Sequence, residues 1–323
     1  MRNFFLALLI SSGFLFSFGC GSNDKTGPGP TPTPTSTPGH GFDTKWGPLG
    51  TSLNGIAVHG NTVYVADGSS PGTIWSSNLS GGSTAVFVGP GGFGLISVWD
   101  VAVDAAGNVY ATDFVSEVKK YNSSGTYLGT FGTVSTGSDT THLNSPRGID
   151  VDSDGNVYIA DWSNNRIVKL DSSLSFSATF TSAYSVNFSK PYSVKVSGTN
   201  IYVLDSFNDR VVEMTNTGTA VTQWGTSGSG NGQFNNPDFL GIDHNNGNIY
   251  VADAANNQRI QLFTSSGAYL SQWGGLGTGD SQFGGTTLTY NSPRGIAVDT
   301  SGKVYVVDQP AASGTGLIKV FGP

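Results

Sequence analysis

From residue 42 onward the apolar positions recur on every second residue in short runs, as in Ile149-Asp150-Val151 followed by Val157-Tyr158-Ile159. Period-two alternation is the mark of strands with one face buried, not of an amphipathic helix. The two runs are separated by a tight Asp/Gly/Asn turn, Asp152-Ser153-Asp154-Gly155-Asn156, so they pair as a hairpin. A third run begins a few residues after the closing aspartate, clearest in Arg166–Leu170, Arg210–Met214 and Arg259–Phe263. A fourth follows a Ser/Gly turn, as in Tyr127–Gly132 and Tyr269–Gly274.

This four-strand phrase returns six times, its second strand ending at Asp67, Asp113, Asp161, Asp205, Asp253 and Asp308. The spacing suits four short strands and their turns, the content of one propeller blade. The expected fold is therefore all-β, a six-bladed β-propeller. Blade six runs out after its third strand, near Ile318–Phe321, while Phe42–Gly47 reads like the outer strands that end in Trp224-Gly225 and Trp273-Gly274. An N-terminal strand completing the last blade would remove the free edges of an open ring.

The phrases Pro146-Arg147-Gly148-Ile149-Asp150-Val151-Asp152, Gly155–Asp161 and Asn164-Asn165-Arg166-Ile167-Val168 resemble the NHL repeat, and Pro293–Asp299 repeats the first of them. The resemblance implies a six-bladed propeller over residues 42–323 and leaves function open, because such propellers include RNA-binding modules, extracellular sensors and a few lyases. Blade one departs from the pattern: Gly68-Ser69-Ser70-Pro71-Gly72 follows Asp67, and His59 stands where most copies carry Asp. Blade six departs by the inserted Gln309–Gly316 loop.

Ahead of the propeller, Phe4–Phe18 is an apolar stretch after Arg2, interrupted by Ser11-Ser12-Gly13 and too short for a membrane span. Residues 1–19 read as a secretory signal ending at Cys20, the single cysteine of the chain. Its place after a small residue resembles the lipidation site of a bacterial lipoprotein, with Ser17 where that motif carries an aliphatic residue. Residues 20–41 then form a linker with Pro28, Pro30, Pro32, Pro34 and Pro38, a tract that favours polyproline II at about 3.1 Å per residue. The expected location is the bacterial cell envelope, with membrane contact through the lipid anchor alone, or secretion if Cys20 is not lipidated.

Charge narrows the function. A net charge of -7, with 15 Lys and Arg against 22 acidic residues, lacks the cationic face needed to displace counterions from phosphates, so nucleic acid is not an expected partner. Arg166, Arg210 and Arg259 each follow a blade aspartate at the same place, which reads as an Asp-Arg clamp and not as a basic patch. Four histidines, His40, His59, His142 and His244, are too scattered to converge on one metal. Two glutamates, Glu117 and Glu213, lie in third strands away from the axis, which disfavours a paired-carboxylate hydrolase. No catalytic residue, cofactor or metal is expected, and the Asp152–Asn156 turn reads as a hairpin turn, not a calcium loop.

Aligning the six copies places one residue per blade just above the innermost strand: Asn54, Trp99, Arg147, Tyr192, Asp238 and Arg294. The second-to-third-strand loops open on the same face and add Phe114, Trp162 and Phe207. These nine are the candidate ligand site, at the upper face and channel mouth. Three positions further along the inner strand, where other blades carry small residues, Asp150 and Lys195 are expected to pair across neighbouring blades. The chain is read as an exported, monomeric binding or sensor propeller. Its ligand class (peptide, glycan, protein or small molecule) is open. An NHL-type lyase or hydrolase acting on extracellular peptide or glycan, and a purely structural envelope protein, are the alternatives.

Overall fold

The computed structural model describes residues 40–47, 49–89, 94–285, 292–309 and 315–323. The expected signal segment (residues 1–19), Cys20, nearly all of the expected linker and most of the blade-six insertion lie outside the described residues. Six four-stranded antiparallel sheets make up the propeller. The inner strands are Leu53–His59, Val98–Val103, Pro146–Val151, Pro191–Ser197, Phe239–Ile242 and Ile296–Val298. The second strands end at the six repeated aspartates.

The ring closes as the sequence predicts. Phe42–Trp46 pairs antiparallel with Leu317–Phe321, setting Trp46 opposite Ile318. Trp46 is 8% exposed and packs with Leu53, Tyr305 and Ile318 in a cluster bridging the first and last blades. His40, assigned from sequence to the linker, is packed against the body: its ring stacks on Trp273 at 5.0 Å and its Nε2 lies 3.2 Å from the Tyr250 hydroxyl.

There is no single core. Each apolar cluster lies between two successive blades, as where Tyr158 and Ile167 of blade three meet Val194, Val203 and Val212 of blade four. Inner strands approach so closely that a Cβ on Gly148 would lie 2.6 Å from the Ser193 Cα, and one on Gly295 2.6 Å from the Asn54 carbonyl. Glycine at that register is what lets neighbouring backbones meet.

Local chemistry repeats with the strands. The Asp152 carboxylate accepts the Asp154 and Asn156 amides, at 3.0 and 2.8 Å, and the Tyr158 hydroxyl at 3.0 Å. Asp104 does the same for Ala106, Asn108 and Tyr110, and Asp299 for Ser301, Lys303 and Tyr305. The acidic turn is thus spent on its own hairpin.

The blade aspartates tie the connection entering each blade to the third strand. Asp161 accepts the Asn144 amide at 2.7 Å and Arg166 Nε at 2.7 Å. Asp205 holds Ser189 and Arg210, and Asp253 holds Asn235 and Arg259, in the same way. The Asp-Arg clamp is therefore present in blades three to five. Burial pushes the Asp161 and Asp253 carboxyls up, against the opposing pull of their hydrogen bonds and arginines. In two further blades the cation is a lysine two residues along the third strand, a relation the arginine pattern concealed: Lys319 reaches Asp308 at 2.8 Å, and Lys119 lies 3.5 Å from Asp113.

Candidate functional site

Four of the six rim residues stand where the inner strand loses register with the second, while Asp238 and Arg294 precede the inner strands of blades five and six. In blade two Val98 opposes Asp113 and Asp100 opposes Thr112, leaving Trp99 bulged; in blade four Tyr192 is bulged between Pro191 and Ser193. Register shifts at the corresponding place in blades one and three carry Asn54 and Arg147. A bulge re-aims its side chain out of the regular alternation, so sequence positions that would otherwise face between blades turn toward the axis.

What gathers there is a cation enclosed by rings. The Arg147 guanidinium carbon lies 3.4 Å from the Trp99 ring centre, 4.8 Å from that of Trp162 and 5.0 Å from that of Tyr192. Trp99 and Tyr192 also meet edge to face at 5.9 Å. Arg147 is only 9% exposed, and burial lowers its pKa while Tyr192 and Asp238 oppose that and Arg294 adds to it. The cation is held by π faces, each worth up to about 2 kcal/mol when desolvated.

On the other side of the mouth Arg294 donates to the Leu53 carbonyl at 3.0 Å and to the Asn54 side chain. Asn54 in turn donates to the Val98 carbonyl at 3.0 Å. Asp238 is buried, its amide donating to the Ala252 carbonyl. Arg147 and Arg294 are thus parts of two separate assemblies at one mouth and not two free donors. Phe114 and Phe207 stand 48% and 56% exposed, and Ile96, on the connection into blade two, is 44% exposed, its amide donating at 2.9 Å to Asp113, the residue before Phe114. Cys20 lies outside the described residues.

Below the rim the axial channel opens into a cavity of about 160 Å³ walled by Ile56, Val101, Ile242, Ile296 and Val298, with Asp150, Lys195 and His244 among its polar groups. The expected Asp150–Lys195 pair needs correction here. The carboxylate placed in an ion pair with Lys195 is Asp100, at 3.7 Å, reaching from blade two past the inner strand of blade three. Asp150 instead accepts the Val196 amide at 2.7 Å and acts on Lys195 as a second negative charge. Asp100 occupies the register of Gly55 and Gly148, which is the signal that could have found it.

Asp100 is 1% exposed and accepts the Val101 and Ile149 amides at 2.9 and 3.1 Å. Burial nevertheless pushes its carboxyl up to about 6, with Lys195 and the two amides pulling down and Asp150 pushing up. Lys195 is held above its ordinary range because the two carboxylates outweigh its own burial. His59 and His244 share a lower-face pocket of about 200 Å³. Among the described residues no three of His, Cys, Asp and Glu come together as a metal-binding group.

The NHL repeat family model matches residues 143–170 and 234–263. Similar solved structures include a streptogramin B lyase, with 15% identity, a TM-score of 0.58, and coverage of 84% of this chain and 93% of that one. A gluconolactonase from Xanthomonas campestris has 14% identity and a TM-score of 0.60, covering 84% and 86% of the two chains. An auxiliary nutrient binding protein from Bacteroides thetaiotaomicron has 11% identity and a TM-score of 0.60, covering 85% and 70%. At these identities the likeness is one of fold. The chain is a six-bladed β-propeller carrying NHL repeats.

Proposed function

We propose that this propeller is an exported, lipid-anchored binding or sensor module that recognises its ligand at the upper face and channel mouth. The observation that carries the reading is the enclosure of Arg147 by Trp99, Trp162 and Tyr192, with exposed Phe114 and Phe207 on the same face. Aromatic residues and arginine are the types that dominate binding energetics, and exposed rings around a buried anchor form a surface that a partner can cover. Cys20 and the proline-rich tract after it support attachment at a membrane surface with the propeller held off it.

Screening the purified chain against envelope and extracellular fractions, then titrating the recovered ligand against Phe114→Ala and Phe207→Ala, tests the site. The expected loss is about 1 to 4 kcal/mol of binding between them, with melting unchanged. Full affinity in both variants would move recognition elsewhere. Labelled fatty acid incorporated by the parent and not by Cys20→Ala is the expected result for anchorage; equal labelling would remove the anchor from the reading.

A further inference from the structure

The three arginine clamps are equal at the aspartate and unequal beyond it. In blade three Arg166 donates to the Ser138, Asp139 and His142 carbonyls at 2.6, 2.9 and 2.7 Å, all from the connection entering that blade. In blade five Arg259 donates to the Ser229, Gly230 and Gln233 carbonyls at 2.8, 2.9 and 2.8 Å, again from the entering connection. In blade four the corresponding connection, residues 181–190, is shorter than residues 133–145 and 225–238 and turns back as a small hairpin, Ser182–Ala183 against Val186–Asn187. Arg210 is left with one long bond to the Val186 carbonyl, 3.3 Å, and one to the Gln223 side chain, 2.6 Å.

Where the shorter connection does not reach there is open space. A pocket of about 380 Å³ lies beside Arg210, walled by Val186, Asn208, Gln223 and Trp224. Exposed apolar side chains accompany it: Tyr184 is 42% and Val186 45% exposed on the hairpin itself. The guanidinium fork has five N–H donors, and its three partners, Asp205, Gln223 and Val186, leave donors over.

We propose that this outer edge of blade four docks an extended peptide segment of a partner protein, whose main-chain carbonyls take the place that the chain's own connections fill in blades three and five. The molecule itself shows the chemistry of the occupant: in both complete clamps three neutral backbone carbonyls of the entering connection accept, joined in blade five by the Gln272 side-chain carbonyl at 2.7 Å, the counterpart of Gln223. Asp205 already balances Arg210, at 2.8 Å, so the clamp calls for carbonyl dipoles and not for a further anion. The Val186 side chain, on the same exposed hairpin as Tyr184, supplies an apolar wall for the segment's side chains, as backbone recognition with flanking pockets requires. The site is separate from the channel mouth and stands whether or not that mouth binds anything.

The probe is acetyl-Gly-Ser-Asp-Thr-Thr-His-Leu-amide, the sequence of residues 137–143 that satisfies Arg166, added to the isotope-labelled full-length chain. Saturable shifts of the Arg210 Nε–H and Gln223 side-chain amide resonances are expected, with a Kd of about 1 mM. Arg210→Lys, which keeps the charge and loses the fork, should abolish them. If that variant does not fold, Val186→Asp, changed at an exposed position, should weaken the shifts at least about tenfold. The proposal is overturned if no saturable shift develops, if Val186→Asp responds like the parent, or if acetate or phosphate moves the same resonances as far as the peptide does.

Discussion

The two ends of the axial channel bury charge in opposite ways. At the upper mouth Arg147 gives up water for the faces of Trp99, Trp162 and Tyr192, and its nearest ring is 3.4 Å away. In the lower half Asp150 and Lys195 line a cavity with aliphatic walls, and Lys195 pairs at 3.7 Å with Asp100 buried behind it. In the first arrangement ring quadrupoles act together with the Tyr192 hydroxyl, which accepts from Arg147 at 3.3 Å, and with the charge of Asp238. The second depends on opposite charges compensating one another, and its desolvation cost is visible in the Asp100 carboxyl held at about 6. A mouth built of rings can be altered piecemeal; a buried ion cluster fails when one member is removed.

The largest expected effect follows from that dependence. Lys195→Ala leaves the buried Asp100 and the cavity-lining Asp150 with no cation, and should cost about 3 to 5 kcal/mol in denaturant unfolding. Adding Asp100→Asn should restore part of the loss, since it removes the charge that was stranded. Strictly additive losses in this cycle would mean the two side chains do not act as a pair.

A pH titration of stability sharpens the same contrast. Because the Asp100 carboxyl is raised from 3.8 to about 6, the folded state holds a proton that the unfolded chain has released within that window. Stability should therefore fall as pH rises from 4 to 6, by about 3 kcal/mol for this group, and then level off. Lys195, raised above its ordinary value, contributes stability that is present at neutral pH and lost only as alkaline pH strips its proton. Asp100→Asn should remove most of the acid-side slope. An unchanged slope in that variant would place its origin in other carboxyls.

At the upper mouth the expected cost is smaller. Trp99 is half-buried and packs with Phe239 and Tyr192 as well as Arg147, so Trp99→Ala should cost about 2 kcal/mol in stability. Arg147→Lys should cost about 1 kcal/mol, because the planar stacking is lost while the charge remains. A loss from either as large as that of Lys195→Ala would break the comparison. Smallest of all, His244→Ala and His59→Ala on the lower face should change the melting temperature by less than the equivalent of about 0.5 kcal/mol, being exposed or half-exposed. A larger effect would make that lower pocket part of the folded core.

Much of the architecture could be read from the chain because its causes are local. The blade count follows from a phrase recurring around each second-strand aspartate, and strand pairing within a blade from period-two alternation across a short turn. The closing strand was recognisable in Phe42–Trp46 because its tryptophan matches Trp224 and Trp273. The Asp-Arg clamp was equally readable, since Asp161 and Arg166 lie five residues apart and face each other across one hairpin.

Contacts between blades were decided only by the tertiary structure. Lys195 and Asp100 are joined across the channel although blade three stands between them in sequence, so no local pattern could name the partner. The bulges that turn Trp99 and Arg147 inward depend on pairing with the second strand, and their effect on which rings surround Arg147 is a matter of how three blades converge. The unequal surroundings of Arg166, Arg210 and Arg259 arise from the connections that fold back on them, not from the identical residues themselves. Sequence determines the repeating unit because strand and turn energetics act over a few residues; convergence of six units on one axis determines which charges and rings share a space.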